Sequence, residues 1–339
     1  MKKIISLYIP LIIIILFSLI TLYNYETGYF IKQIIWLILG FGIIFFSKLL
    51  KPNKIFKYSK WLYLFNVMLL ILVLFFGEEI NGSRAWFNFK FFSFQPSELM
   101  KLSIGLYLSV IFKEKKKFYF IKSLIVFMIP SILVFLEPDT GAIIMYLVIY
   151  LASLFYSLKK KKLFYIFCII GCLILSIFIF LYFKNIDLLI KILGTSIFYR
   201  IDRIINFKNN YQLENALISI GTSSMLGRNK PMIYIPESVT DFMFARVVAS
   251  YGFFSGIILI ICYFIILLYI VNSMKTNKNK IFVFSFFWLF LFQIIQNIFM
   301  NIGLLPIMGI PLPFLSYGGS NTIIYFLLLS IVLKQEKNN

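Results

Sequence analysis

The sequence predicts an all-α polytopic membrane protein with ten transmembrane helices and both termini in the cytoplasm. The 339 residues are 61% hydrophobic, with a mean hydropathy of +0.93. Apolar stretches of about 20 residues recur along the chain, and this length spans a hydrocarbon core of roughly 30 Å. Lysine-rich connections alternate with connections that carry acids and arginines.

The ten expected spans account for most of the chain, and we interpret 1–339 as a single integral membrane domain. The first span follows Lys2 and Lys3 but lacks a small-residue cleavage site, so we interpret it as an uncleaved helix rather than a signal peptide. The expected spans are 4–23, 29–47, 61–76, 99–112, 121–136, 141–158, 163–183, 241–271, 281–302 and 314–333.

Lysine clusters in alternate connections set the orientation. By the positive-inside rule these connections, and with them both termini, are cytoplasmic. The other connections are then external, including a long loop over residues 184–240 between helices 7 and 8. Its apolar residues recur at helical intervals, which predicts short amphipathic helices on or in the membrane surface.

The external side holds eleven of the thirteen carboxylates. It also holds all five arginines, whose planar guanidinium can bind phosphate or carboxylate through two parallel hydrogen bonds. An anionic ligand on this side is one interpretation, and ion pairing with neighbouring acids is the other. The arginines are Arg84, Arg200, Arg203, Arg228 and Arg246.

Composition excludes several kinds of chemistry. The chain has no histidine, so the commonest general base and metal ligand is missing, and acid–base chemistry would fall to carboxylates. The net charge of +20 follows the topology of the loops, which argues against nucleic acid as a partner. Cys168, Cys172 and Cys262 lie within apolar stretches and suit packing or lipid contact.

Two external segments place an acid beside a proline. Residues 95–98 (QPSE) precede the fourth span, so Glu98 falls in a first helical turn, where the dipole favours a negative charge. Residues 137–141 (EPDTG) form a turn in which Asp139 suits a helix cap. Trp86, in the loop before QPSE, suits an interface anchor. All three residues are also candidates for ligand binding.

Asp241 is the strongest candidate for chemistry. Thr240 and Asp241 are expected to open the long helix 241–271, where capping would account for the acid. However, an ionisable group at the membrane boundary is costly, which favours a functional role. Glu237 lies four residues earlier. Arg246 lies five residues later, a rotation of about 140°, so it is not a simple i,i+4 partner of Asp241.

The last external segment is expected to be non-helical. Residues 303–320 contain three prolines and four glycines just before the final span. Non-helical backbone at membrane depth is tolerated where it is buried in protein or lines a cavity. This segment is therefore a candidate wall of a binding site.

Together these segments resemble the shape, elongation, division and sporulation (SEDS) family. The resemblance rests on motifs in family order, and the last of them is distinctive. They are QPSE at 95–98, EPDTG at 137–141, Tyr199–Arg200, Tyr211–Gln212, PE-xx-TDF at 236–242 and GIPLPFLSYGGS at 309–320.

The resemblance implies an inverting peptidoglycan glycosyltransferase of the bacterial cytoplasmic membrane, with its active site facing outside. It would polymerise lipid II for cell elongation or division, together with a class B penicillin-binding protein, a transpeptidase that this chain lacks. The family's functional aspartate corresponds to Asp241, the expected base. Expected substrate-binding residues are Arg84, Trp86, Glu98, Asp139, Arg200, Arg203, Gln212, Glu237 and Ser316.

The chemistry of these residue types agrees with the resemblance. A sugar hydroxyl must lose its proton as it attacks, and burial can raise the pKa of a carboxyl toward the working pH. The leaving pyrophosphate needs positive charge, for which Arg84, Arg200 and Arg203 are candidates. A divalent cation, Mg²⁺ or Mn²⁺, is the open alternative, and no other cofactor is evident. Polyprenyl tails and membrane lipids would contact the apolar helices.

Departures from the family pattern cluster near Asp241 and leave alternatives open. Val239 stands where a histidine is usual, Ala249 and Ser250 stand where acids are usual, and Arg246 is atypical. One alternative is therefore a weakened scaffold for a partner transpeptidase. Another is a flippase or transporter of lipid-linked precursors, although such proteins usually bind at the midplane between repeated halves, and no halves are evident.

Overall fold

The fold was described from a computed structural model, which covers residues 4–47, 52–80, 83–89, 92–159, 161–184, 186, 190–191, 198, 202, 205–228 and 233–335. The described chain is mainly helical. Its helices are α1 (Ile9–Tyr23, preceded by a π-helical turn at Ile4–Tyr8), α2 (Thr27–Ser47), α3 (Pro52–Lys57), α4 (Ser59–Phe76), α5 (Pro96–Glu114), α6 (Tyr119–Leu136), α7 (Thr140–Ser157), α8 (Lys162–Lys184), α9 (Tyr211–Gly221), α10 (Met243–Tyr251), α11 (Phe253–Thr276), α12 (Lys280–Asn301) and α13 (Gly319–Gln335).

Every expected span overlaps helix in the described part of the chain, although two of them, 241–271 and 314–333, also include several non-helical residues. Eight helices there are long and apolar enough to cross a membrane. The other two expected spans correspond to α5, which carries four charged residues, and to α13, which has 17 residues. Apolar side chains on α1, α2, α4 and α6 face outward, as lipid contact requires. The chain is a multi-pass membrane protein.

Helix α5 lies at the centre of the bundle. It packs against α4, α6, α7, α12 and α13, and most of its residues are buried. Because α5 is surrounded by other helices, it can carry Glu98 and Lys101 without exposing them to lipid. The buried helix thus brings a charged pair into the membrane protein's interior.

A small sheet departs from the all-α prediction. Strands β1 (Glu78–Ile80), β2 (Ser83–Phe89) and β3 (Phe92–Phe94) form an antiparallel sheet in the order β1-β2-β3. The segment is rich in aromatic residues, which favour strands, but it was interpreted only as a loop. The sheet places Trp86 beside the amino end of α5.

The expected span 241–271 was wrong as a single helix. Asp241 lies in a turn before α10, and Gly252 separates α10 from α11. Gly252 has φ +83°, and a Cβ there would lie 2.2 Å from the carbonyl oxygen of Met225. The chain therefore breaks where the loop around Met225 packs against it, a tertiary contact that apolar periodicity does not reveal.

One loop prediction is confirmed where the structure describes the chain, because residues 302–318, before α13, are non-helical. The long loop contains a short helix, α9, as expected. This helix buries Leu213 and Ala216 but exposes the apolar side chains of Leu217 and Ile218, so its contact with a membrane surface stays a prediction.

Candidate active site

A cavity of about 910 Å³ lies where the sequence motifs meet. Its wall includes residues of α2, the small sheet, the amino ends of α5 and α7, the turn at 237–241 and the segment 307–321. Six expected site residues line it: Trp86, Glu98, Asp139, Gln212, Glu237 and Asp241. Segments far apart in sequence therefore form one acid-lined site.

Asp241 is a half-buried carboxyl on the cavity wall. Burial, together with the smaller effects of the Glu237 and Asp139 charges, raises its pKa to about 7. Gly309, with φ +62°, passes so close that a Cβ there would lie 3.8 Å from Oδ2 of Asp241. A carboxyl with this pKa can exchange protons near neutral pH.

The turn that carries Asp241 is fixed by internal hydrogen bonds. Glu237 adopts φ +51°, and its carbonyl oxygen accepts from the N–H groups of Thr240 (3.2 Å) and Phe242 (3.0 Å). The hydroxyl of Thr240 also donates to the Glu237 carboxylate at 2.9 Å. These contacts place Glu237 and Asp241 on the same side of the cavity.

The segment before α13 forms hydrogen bonds to the turn that carries Asp241. The N–H of Tyr317 donates to the carbonyl oxygen of Val239 at 2.8 Å. Ser316 is fully buried; its hydroxyl accepts from the N–H of Leu312 at 2.9 Å and donates to the carbonyl oxygen of Thr240. Ser316 therefore lies behind the cavity wall, where it supports the turn.

Asp139 connects two motifs. Its Oδ1 accepts from the N–H of Ala142 at 3.0 Å, the cap expected from the sequence. Its Oδ2 accepts from the side-chain amide of Gln95 (3.0 Å) and lies 3.4 Å from the hydroxyl of Ser97. Burial raises the pKa of Asp139, and hydrogen bonds from Ala142 and Ser97 oppose that rise. The carboxyl thus ties α7 to the start of α5.

Glu98 lies in the first turn of α5, as expected, and forms an ion pair with Lys101 at 2.6 Å. Both side chains are almost fully buried. Lys101 also lies 5.6 Å from the centre of the Tyr325 ring. Because a buried ion pair restricts both side chains, the carboxylate of Glu98 is held in one position on the cavity wall.

Of the three expected arginines, only Arg84 lies among the described residues, and it is not brought into the site. The side chain of Arg84 is 53% exposed, lies 4.0 Å from Glu79 and is outside the cavity lining. Arg200 and Arg203 lie outside the described residues, so their roles stay predictions.

Sequence reasoning missed Lys32. This residue of α2 is the cationic side chain among the described residues that line the cavity. Lys32 occurs near the expected external end of a span, away from the cytoplasmic lysine clusters. That position could have identified it as a candidate for the external site. Sequence reasoning also missed Asn297 and Asn301, which are fully buried on α12 and donate to the carbonyl oxygen of Asp241.

The described residues contain no ready-made cluster of metal ligands. No group of three or more histidine, cysteine or acidic side chains within the described ranges is arranged to hold a metal ion. Of the lining acids, Asp139 is occupied by a helix cap and Glu98 by Lys101.

The fold and site define a multi-pass membrane protein with an acid-lined cavity at the ends of its helices. The chain belongs to the FTSW_RODA_SPOVE family, described as cell cycle proteins, which it matches over residues 2–339. The family expected from the motifs is confirmed.

Individual relatives agree with this assignment. The chain is 32% identical to a probable peptidoglycan glycosyltransferase FtsW of Wigglesworthia glossinidia brevipalpis, over 91% of this chain and 84% of the relative. It is 34% identical to a protein of the same description from Nitrosomonas europaea, over 83% of this chain and 76% of the relative.

Solved structures share the fold. A chain from work on structural coordination of polymerization and crosslinking by a peptidoglycan synthase complex has a TM-score of 0.81, with 23% identity over 96% of this chain and 95% of that chain. Rod shape determining protein RodA of Thermus thermophilus has a TM-score of 0.71, with 23% identity over 96% of this chain and 94% of that chain.

Proposed function

We propose that this protein is a peptidoglycan glycosyltransferase that polymerises lipid II at the outer face of the bacterial cytoplasmic membrane. The observation that carries the proposal is Asp241, a carboxyl with a pKa of about 7 on the wall of a cavity formed by the family's motifs. The relatives described above as probable peptidoglycan glycosyltransferases support the same activity.

Asp241 acts as the general base. The 4-hydroxyl of the acceptor sugar attacks the anomeric carbon of the donor, and the hydroxyl proton passes to the Asp241 carboxylate. A new glycosidic bond forms as the bond to pyrophosphate breaks, with inversion at the anomeric carbon. A base whose pKa lies near the working pH is both deprotonated often enough and basic enough for this transfer.

Positive charge must stabilise the leaving pyrophosphate. Lys32 is suited to this role because it lines the same cavity as Asp241. Arg200 and Arg203, which lie outside the described residues, stay candidates from the sequence, as does a divalent cation. Lys32→Gln is expected to raise KM for lipid II, whereas Lys57→Gln on α3, outside the lining, should leave it unchanged.

The membrane arrangement follows from charge. We infer ten spans within a single domain, cytoplasmic termini and an external loop over 184–240, because the lysine clusters occupy alternate connections. Asp241 and the cavity then face outside. Modification of a cysteine introduced at Asp241 by an impermeant reagent added outside would support this orientation. Modification from the cytoplasm alone would contradict it.

A class B penicillin-binding protein is the expected partner, because glycan strands need a transpeptidase to crosslink them. The similarity of fold to a chain of a peptidoglycan synthase complex supports this pairing. Purification of the tagged chain from its host, followed by mass spectrometry of the bound transpeptidase, would also separate an elongation role from a division role.

The test of the activity uses purified protein, its transpeptidase partner and labelled lipid II. The wild type should form glycan chains and Asp241→Asn should not, whereas Glu214→Gln, an exposed acid on α9, should behave as wild type. Full polymerisation by Asp241→Asn would remove the assigned base. Movement of lipid II across liposomes without polymerisation would instead favour a flippase, and absence of both activities would favour a scaffold.

A further inference from the structure

Arg246 on α10 is a half-buried cation outside the cavity. Its Nη1 donates to the hydroxyl of Ser238 at 2.8 Å, and its guanidinium carbon lies 4.2 Å from the centre of the Tyr25 ring. Its Nε is buried and has no hydrogen-bond acceptor among the residues that the structure describes. Neither Arg246, Ser238 nor Tyr25 lines the cavity. The three residues therefore form a second polar site behind the turn of Asp241.

Among the described residues, this site has a cation but no carboxylate in contact with it. Within the described residues, no carboxylate lies within 4.0 Å of the Arg246 guanidinium. Its titratable neighbours are the phenols of Tyr25, Tyr251 and Tyr234. A guanidinium keeps its charge at physiological pH, and a partly buried charge without a counter-ion is unfavourable. The cation–π contact with Tyr25 offsets only part of that cost.

The site lies beside the edge of the hydrocarbon core. Helix α11, an apolar membrane helix, begins at Phe253, and the first two residues of this helix are each 52% exposed. Leu226, in the adjoining loop, is 82% exposed, and the N–H of Phe253 bonds to the carbonyl oxygen of Ser224 in the same loop at 3.2 Å. These exposed apolar side chains suit insertion among lipid tails.

Arg246 lies beside the first turns of α11, because α10 folds back against them. A Cβ at Gly256 in α11 would lie 3.4 Å from the ring of Phe244, and the hydroxyl of Ser255 lies 3.4 Å from the carbonyl oxygen of Val247. Tyr25, whose ring lies against the guanidinium, occupies the short connection between α1, which ends at Tyr23, and α2, which begins at Thr27. Lipid phosphates border the ends of membrane helices and accept two parallel hydrogen bonds from arginine.

We propose that Arg246, with Ser238 and Tyr25, binds the phosphate group of a membrane lipid on the external side. The phosphate belongs either to a phospholipid or to the pyrophosphate of a second lipid-linked substrate, and only the latter source rests on the proposed function. Glu237 and Asp241 face the cavity, whereas Ser238 between them bonds to Arg246. The turn thus separates the catalytic cavity from the phosphate site.

The experiment measures lipid binding separately from turnover. Full-length protein in nanodiscs containing phosphatidylglycerol would be released for native mass spectrometry, and binding of labelled lipid II would be measured in an Asp241→Asn background. Arg246→Gln and Arg246→Lys would be compared with Lys208→Gln, an exposed external cation outside this site. Thermal melting of each variant would establish that it is folded.

The expected result is about a tenfold loss of affinity for one of the two lipids in Arg246→Gln, because one charge-assisted pair is removed. Arg246→Lys should lose less affinity, since lysine keeps the positive charge but not the planar guanidinium that donates two parallel hydrogen bonds. Loss of phosphatidylglycerol identifies a phospholipid, and loss of lipid II identifies the second substrate. Unchanged binding of both lipids, or crosslinking of Arg246 to an acid of a protein partner instead, would overturn the proposal.

If Arg246→Gln does not fold, Tyr25→Leu provides the second variant, because it removes the ring that lies over the guanidinium while retaining the charge. It should weaken binding of the same lipid. A failure of Asp241→Asn to abolish polymerisation would count against the proposed base and leave the lipid measurements valid.

Discussion

The side-chain amide of Asn301 donates a hydrogen bond to the backbone carbonyl oxygen of Asp241 at 3.1 Å. The same side chain accepts from the N–H of Ala245 at 2.9 Å. Asn297, one turn earlier on α12, donates both to Asp241 (2.9 Å) and to the carbonyl oxygen of Ile310 (2.9 Å). Two buried amides therefore connect the turn of the proposed base to α10 and to the segment before α13.

Asn301→Leu should destabilise the protein and lower polymerisation. The substitution keeps the side-chain volume but leaves the N–H of Ala245 without its acceptor in a buried position, which costs about 1–3 kcal/mol. Thermal melting and a lipid II polymerisation assay would measure both effects. Asn24→Leu is the control, because its one bond to Tyr251 is exposed, and it should cost less than about 0.5 kcal/mol. Equal melting of the two variants would contradict the role of the amide.

Glu237→Gln should move the acidic limb of the pH–rate profile to lower pH. The charge of Glu237 helps raise the pKa of Asp241, so removing that charge lowers the pKa and leaves the base deprotonated at lower pH. The expected displacement is up to about one pH unit, read from kcat/KM between pH 5 and 9. Glu214→Gln, on the surface of α9, should leave the limb in place. A limb that does not move in Glu237→Gln would show that another group controls it.

The sequence predicted the spans and the motif residues of the cavity because apolar length and local motifs are short-range signals. It placed Asp241 at the start of one long helix, whereas Asp241 lies in the turn before α10. It also missed the helix break at Gly252, because that break depends on packing against Met225. Asn297 and Asn301 gave no local signal either. Their role depends on backbone carbonyls that are distant in sequence, and no periodicity reveals such partners.

Charge was only a partial guide. Arginine suggested an anionic ligand, yet Arg84 lies outside the cavity and Lys32 lies within its lining. Both residues have exposed side chains, so their positions are set by the sheet and by α2 rather than by burial of their own. Residue type therefore indicated an anionic ligand, whereas the fold determines that Lys32, and not Arg84, lines the cavity.

Glu137→Gln should stabilise the protein at pH 8 more than at pH 5. Glu137 is fully buried, and neither of its carboxylate oxygens has a hydrogen-bond partner in the described part of the chain. Burial, followed by the charge of Asp139, raises its pKa to about 8. The ordinary pKa of a glutamate is 4.5. At a pH between 4.5 and about 8, the folded state therefore holds a proton that the unfolded state has released. Stability therefore falls as pH rises from about 4.5 to about 8.

Glutamine removes that ionisation, so the melting temperature of Glu137→Gln should depend less on pH across this window. Thermal melting at pH 5, 6.5 and 8 would measure the dependence. Glu26→Gln, at an exposed acid, is the control and should follow the wild type. A wild-type melting temperature that rises steadily from pH 5 to 8, with the same slope in Glu137→Gln, would contradict the assignment.

Gly141→Ala should disrupt the site through a steric clash. A Cβ at Gly141 would lie 2.5 Å from the carbonyl oxygen of Met308 and 3.0 Å from a side-chain carbon of Ile310. The segment that passes Asp241 would have to move away from α7, because backbone cannot yield as a flexible side chain can. We expect a loss of about 1–3 kcal/mol in stability, as in overpacked cores, and weaker polymerisation.

Gly171→Ala on α8 is the matched control, since nothing lies within 4 Å of its added methyl group. It should be neutral or slightly stabilising, because alanine favours helix more than glycine does. If both variants retained wild-type activity and melting, the close approach of residues 308–310 to α7 would not be needed for the site.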